Sequence, residues 1–202
     1  MINFLLIRHG NTFDPGDTIL RVGRRTDLPL SSSGRDQATK LGAHLLAKFA
    51  PPDHIYVSPL RRTQETAAFA LGSVDQVPID IHAALNEIDY GVDDGQPESA
   101  VVARLGASAL ADWDTHNLMP AEWSPRPKDL QENLRLFLNE IASTQTGWIW
   151  AITSNGTARF LPELCTKTEG SPLDRKLKTA AYAHLVYDGQ TWQIQGWNLR
   201  PT

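Results

Sequence analysis

Residues 2–12 read INFLLIRHGNT, a short and almost continuous apolar run that stops at Arg8-His9-Gly10. Runs of this kind read as strands buried on both faces, the habit of parallel sheets. The stretch that follows, residues 10–34, GNTFDPGDTILRVGRRTDLPLSSSG, is rich in Gly, Pro, Asp and Ser and reads as a long loop. Loops of that length in compact domains are usually functional. The same strand-then-polar pattern recurs at HIYVS (54–58) and at WIWAITS (148–154). The last of these ends in Ser154-Asn155-Gly156, where a strand meets a turn.

Helical signals lie between these runs. Ser32 or Ser33 is placed to cap a helix reaching about Phe49, with Ala38, Leu41, Leu45, Leu46 and Phe49 at helical spacing and Pro51-Pro52 beyond it. Pro59 opens a second helix through about Leu71. VPIDIHAAL (77–85) reads as extended, and EIDYGVDDGQPES (87–99) as an acidic loop. Residues 99–113 and 128–143 carry helical periodicity around the Pro-rich HNLMPAEWSPRP, and TARFLPELC begins another helix. AYAHLVYD and QTWQIQGWN alternate about Asp188-Gly189-Gln190, which predicts a terminal hairpin or edge pair. The order predicts a three-layer α/β/α sandwich with a mainly parallel sheet. It is read as one domain over 1–202 with an irregular insertion or lid around 93–127.

At 202 residues, with 41% hydrophobic and 21% charged residues, the chain has the material for a substantial core. A formal charge of −4 argues against nucleic-acid or membrane-surface binding, which needs a basic face. The single cysteine, Cys165, excludes an intramolecular disulfide and a Cys-rich zinc site. The N-terminal run lacks the basic region of a signal peptide, and no stretch nears the roughly 18 apolar residues of a membrane span. A cytoplasmic protein is the expectation.

In open α/β sheets, ligands sit beyond the carboxyl ends of the strands. Arg8, His9, Gly10, Asn11 and Thr12 follow the first strand, Ser58 to Arg62 the second, Glu87 the extended segment and Asn155 the third buried run. Two arginines suit a phosphoryl group, through planar charge-assisted hydrogen bonds. Gly10 permits close backbone approach, and Asn11 and Thr12 add neutral donors. A histidine beside arginines is biased toward its neutral, nucleophilic form. Glu87, if partly buried, can protonate a leaving oxygen. This chemistry points to phosphoryl transfer through a phosphohistidine.

IRHGNT resembles the RHG signature of the histidine phosphatase superfamily, the phosphoglycerate mutase-like proteins. GRRTDLPLSSSGRDQATKLGAHL (23–45), SPLRRTQETA (58–67) and NEIDYGVDDG (86–95) are similar to that family's next three motifs, in order and spacing. The resemblance implies that His9 is the phosphorylated nucleophile, Arg8 and Arg62 the phosphate clamp, and Glu87 the proton donor. Asn11 falls where the family often has a glutamate, Arg24 on the arginine that often shapes the site mouth, and Arg61 on a variable position. The family's last motif ends S-H-G or T-H-G. This chain has Ser154-Asn155-Gly156 there, so the second histidine of the pair is replaced by Asn155, whose amide still donates but carries no charge.

The resemblance thus implies a cofactor-independent phosphomonoester hydrolase acting on a small phosphorylated metabolite, with Asn155 beside Arg8, Asn11 and Arg62 as phosphate ligands. Thr12, Gly156 and Arg24 are further candidates for substrate binding. A mutase is less expected, because the resemblance implies long insertions that this chain is too short to carry. The alternative is a catalytically weakened or inactive phospho-ligand-binding protein of the same fold. No metal, organic cofactor, nucleic acid or membrane partner is implied. His184, His44 and His54 are not placed to replace the missing histidine, and His82 is held in reserve. Asp89, Asp93 and Asp94 read as solvated loop charges. Trp113 and Trp123 either fasten the 93–127 segment or roof the cleft, and Arg21, Arg24 and Arg25 either meet an anionic substrate tail or face solvent.

Overall fold

In the computed structural model, residues 1–74, 76–167 and 175–201 are described. The elements run β1 (Ile2–Arg8), α1 (Ser32–Lys48), β2 (His54–Val57), α2 (Arg61–Leu71), β3 (Ile79–Ile81), α3 (Glu98–Leu105), α4 (Ala107–His116), α5 (Pro127–Thr144), β4 (Gly147–Thr153), α6 (Asn155–Ala158), β5 (Thr166–Lys167), β6 (Tyr182–Tyr187) and β7 (Trp192–Leu199). The strands form a seven-stranded sheet in the order β3-β2-β4-β1-β6-β7-β5. β3, β2, β4 and β1 pair in parallel, and β6 pairs antiparallel with both β1 and β7.

Alternation along β1 explains the layers. Phe4 and Leu6 face one core with Phe137, Leu134 and Ile141 of α5, and with Ile88, Trp113 and Trp123. Leu5 and Ile7 face the other core, with Leu41 and Leu45 of α1 and Ala67 and Ala70 of α2. Both faces of the strand are covered, as the unbroken apolar run requires. The α/β/α sandwich with a mostly parallel sheet is therefore the observed architecture.

Several local expectations differ. The cap of α1 is Ser31, whose Oγ accepts the Gly34 N–H. The extended segment 77–85 yields only three strand residues before a 3-10 turn over Ala83–Leu85. The helical stretch at 99–113 breaks at Gly106, whose φ of 83° an L side chain rarely adopts, giving α3 and α4. The helix expected from Thr157 is the single turn α6, followed by a 3-10 turn over Leu161–Leu164. The β6/β7 hairpin forms, but not as an edge pair. β6 lies inside the sheet against β1, because Tyr182, Ala183 and Leu185 are buried there.

Candidate functional site

The carboxyl ends of β1 and β4, the turn before Glu87 and the loop 10–31 surround a cleft of about 340 Å³. At its floor, His9 leaves β1 with its N–H bonded to the Thr153 carbonyl at 3.1 Å. Its Nδ1 lies 2.7 Å from the carbonyl oxygen of Gly10. A carbonyl only accepts, so Nδ1 carries the proton and Nε2 keeps its lone pair. The next two amides are also held: Gly10 N–H donates to Thr66 Oγ1 at 3.1 Å and Asn11 N–H to Gln37 Oε1 at 2.9 Å. Gly10 is required by proximity to α1, since a Cβ there would lie 2.4 Å from the Gly34 carbonyl oxygen.

Burial holds the His9 imidazole well below its ordinary value of 6.5, and the nearby Arg62 and Arg8 guanidinium groups push it the same way. Arg62 is wholly buried, its Nη1 and Nη2 donating to the carbonyls of Thr26 and Gly23 at 3.0 and 3.2 Å. Arg8 Nη1 donates to the Leu177 carbonyl at 2.9 Å. The Nε atoms of both arginines are buried without a hydrogen-bond partner, and so is Ser154 Oγ. Buried orphan donors are rare and call for an acceptor.

Glu87 is buried, with its two oxygens accepting from Ile88 N–H at 2.9 Å and Gly156 N–H at 3.2 Å. Burial raises its carboxyl above the ordinary value of 4.5, against the pull of Arg62, these two amides and Arg8. Gly156 sets this contact, because a Cβ there would sit 2.3 Å from Glu87 Oε1 and 2.9 Å from the Tyr90 hydroxyl. Asn155 begins α6 and lines the cleft, with its Oδ1 accepting the Leu177 N–H at 2.9 Å. Its amide nitrogen remains as the donor.

Arg8, His9, Asn11, Thr12, Glu87 and Asn155 line one cleft, with Arg62 and Gly156 packed behind it. Arg24 does not join them; it is exposed and lies outside the cleft wall. Arg61 is also outside, its guanidinium paired with Glu65 at 3.4 Å. His82 meets Glu140 at 3.3 Å and packs on Phe137, and His184 bonds Asn3 at 3.1 Å and stacks on Trp148. Neither lines the cleft.

The 93–127 segment supplies a wall. Trp113 and Trp123 meet edge to face at 5.5 Å, and both are buried. Trp123 is an anchor, donating from Nε1 to Asp93 at 2.8 Å, while Trp113 reaches the cleft. Asp93 is therefore no solvated charge: it is buried and ion-paired with Arg104. Asp94 accepts from the Gly23 and Arg25 amides, and Asp89 pairs with Arg25 at 3.1 Å; both are half-buried. The loop 10–31 contributes Phe13, Ile19, Leu20, Arg21 and Val22 to the cleft, and Tyr90, Glu98, Asp114 and Thr179 complete it. Most of these carry no motif, and only their place in the fold reveals them. Arg159, beneath them, is wholly buried, with its Cζ 4.1 Å from the Trp113 ring centroid. Among the described residues no cluster of His, Cys, Asp and Glu is arranged to hold a metal ion, and no helix is long and apolar enough to cross a membrane.

A family model, the histidine phosphatase superfamily (branch 1), matches residues 4–200, and the chain belongs to that superfamily. It is 29% identical over 111 residues to a 2,3-bisphosphoglycerate-dependent phosphoglycerate mutase of Arthrobacter sp. (strain FB24), covering 54% of this chain and 44% of that protein. It is 32% identical over 108 residues to phosphoglycerate mutase 1 of Saccharomyces cerevisiae, covering 52% and 43%. The chain spans about half the length of the curated relatives it matches. Among solved structures, Bacillus stearothermophilus YhfR superposes with a TM-score of 0.79 at 22% identity over 98% of each chain. A mycobacterial glucosyl-3-phosphoglycerate phosphatase in complex with VO3 gives 0.79 at 20% identity, again over 98% of each chain. At these identities the likeness establishes the fold.

Proposed function

We propose that this protein hydrolyses phosphomonoesters of small metabolites through a phosphohistidine on His9. The observation that carries the reading is the fixed tautomer of that ring, with Nδ1 bound to Gly10 O at 2.7 Å and Nε2 left as a base in a buried, arginine-flanked site. Nε2 attacks phosphorus in line, the ester P–O bond breaks, and the Glu87 carboxyl gives its proton to the departing oxygen. Water then attacks the phosphohistidine and yields a proton to the Glu87 carboxylate. The N–P bond breaks with its electron pair returning to Nε2, and inorganic phosphate leaves. Arg8, Arg62, Asn11 and Asn155 hold the phosphoryl oxygens, and Thr12 and Gly156 border them. The orphan Nε atoms of the two arginines support that role. No step calls for a metal or an organic cofactor.

A second reading rests on Asn155, which stands where the resemblance puts a histidine. Its Oδ1 is committed to Leu177 N–H, so it offers one neutral donor and no cation. Complete loss of a preorganised donor slows such reactions on the order of 10²–10³-fold, and the retained amide recovers part of that. A pocket without that cation is suited to binding a phosphorylated ligand with little turnover. Phosphate release from a panel of small phosphomonoesters, measured for the unaltered protein, His9→Ala and Asn155→His, separates the readings. Activity that is lost in His9→Ala supports the hydrolase. Turnover only in Asn155→His supports the binding protein, and release unaffected by His9→Ala sinks the phosphohistidine route.

A further inference from the structure

The carbonyl that fixes the His9 ring belongs to a peptide group that is itself held from its other end. Gly10 O and Asn11 N–H are the two ends of one planar unit and point in opposite directions. Gly10 O accepts from His9 Nδ1 at 2.7 Å, and Asn11 N–H donates to Gln37 Oε1 at 2.9 Å. The first turns of α1 form the bed for this unit. Asn11 O accepts from Ser31 N–H at 2.9 Å, and a Cβ at Gly34 would lie 2.0 Å from Asn11 O. Gly34 therefore clears the space in which the loop lies on the helix. Gln37 stands one turn further along, and long helical side chains lean back over the preceding turn. It is thereby carried across Gly34 to the Asn11 amide. Gln37 does not line the cleft, and no step of the proposed reaction uses it.

We infer that Gln37 is a positioning residue for His9: by holding the Gly10–Asn11 peptide, it keeps the Gly10 carbonyl aimed at Nδ1 and so keeps the lone pair on Nε2. Its effect on turnover rests on the proposed attack by His9, whereas its effect on the ring does not. Linked donors and acceptors polarise one another, so an acceptor on Asn11 N–H also strengthens Gly10 O as an acceptor. The Gln37 amide accepts without bringing a charge. A carboxylate there would accept as well but favour the imidazolium, which has no lone pair to attack with. The preceding peptide is held separately, by Thr66 Oγ1 on Gly10 N–H. Loss of Gln37 therefore loosens the carbonyl without freeing the end of β1.

Gln37→Met keeps the length of the side chain and removes the acceptor, while Gln37→Glu keeps the acceptor. Nitrogen NMR of the His9 ring reads the tautomer, and hydrolysis of p-nitrophenyl phosphate reads its consequence. The unaltered protein should show one tautomer, with the proton on Nδ1. Gln37→Met should show both, with KM little changed and kcat lowered about 10–100-fold, the range for outer partners that orient ligating histidines. Gln37→Glu should restore the single tautomer. A ring that is mixed in the unaltered protein, or that keeps its proton on Nδ1 in a folded Gln37→Met, overturns the inference. If Gln37→Met does not fold, hydrogen exchange of the Asn11 amide in the unaltered protein decides. Protection supports the inference, and exchange as fast as in a free peptide overturns it. If the unaltered protein hydrolyses nothing but the tautomer shifts in Gln37→Met, the hydrolase reading fails and this inference stands. Equal turnover with an unchanged tautomer in all three proteins overturns the inference and leaves the hydrolase reading intact.

Discussion

At the floor of the cleft, His9, Gly10, Asn11 and Glu87 are fixed largely by single hydrogen bonds with backbone groups at one end, while at the mouth Arg21, Glu98, Asp93, Arg104 and Asp114 are fixed by ion pairs between side chains. Backbone groups are positioned by the sheet and the first turns of α1 and α6, and they move only if the fold moves. Apart from the buried Asp93, these pairs involve side chains that reach solvent, and such pairs are weaker, screened by salt and separable one residue at a time. The floor is thus built into the fold, and the mouth is built onto it. One end resists substitution and the other accommodates it.

Glu87→Gln should break the floor most severely. It lowers kcat by about 10²–10⁴-fold, the range of a lost general acid. The pH profile supplies the sign. His9 is held well below 6.5 by burial and by Arg62 and Arg8, so it stays neutral as pH falls through 6.5 and no acid limb appears there. Burial raises Glu87 above 4.5, so kcat/KM in the unaltered protein declines as pH rises through that raised value and the proton is lost. The Gln variant lacks this limb; a basic limb that persists in it would remove Glu87 from the acid role.

Asp93→Asn should break the mouth while sparing the floor. The carboxylate is buried and shared between Arg104 and Trp123 Nε1, and losing a hydrogen bond to a charged group costs about 1.5–3 kcal/mol. A lower urea midpoint and a higher KM with kcat unchanged are expected. Burial pushes the Asp93 carboxyl up, but Arg104 and Trp123 outweigh it and hold it below 3.8. Its stabilisation is therefore complete above 3.8 and is lost as pH falls through the depressed value. That acid-dependent part of the stability should vanish in the Asn variant, as urea titrations at several pH values would read. Arg61→Ala is the smallest change: an exposed i,i+4 pair with Glu65 is worth within about 0.5 kcal/mol, and kcat/KM should hold. A loss of activity there would put Arg61 inside the site.

The floor was largely legible because its parts are contiguous in the chain. Arg8-His9-Gly10 closes a doubly buried strand, Arg62 lies in the first turn of the helix that follows another, and short apolar runs report parallel strands without any knowledge of contacts. The mouth was not legible, for the opposite reason. Arg21 and Glu98 are 77 positions apart, and nothing local in either segment marks the other. Asp93 stands in an acidic run, which reads as solvated until Arg104 and Trp123 are folded onto it. Arg24, in a loop that resembles a family motif, turned outward while Arg21 turned in. The helix expected after Asn155 shrank to one turn because Phe160 and Leu161 are drawn into the core beside Trp113 rather than along a helix face.

Leu177 is tied twice to the site, its carbonyl to Arg8 and its N–H to Asn155, and the neighbouring amides of Ala180 and Arg8 pair with the carbonyls of His9 and Ala181. Arg8 and Leu177 are 169 positions apart. Contacts of such separation close a large loop and are therefore among the slowest to form. On the ribosome, the histidine emerges with the first strand, yet its geometry is not set until β6 has emerged and inserted beside β1. Throughout synthesis His9 is therefore present long before the partners that fix its surroundings, and the two ends of the chain must meet before the cleft has its floor.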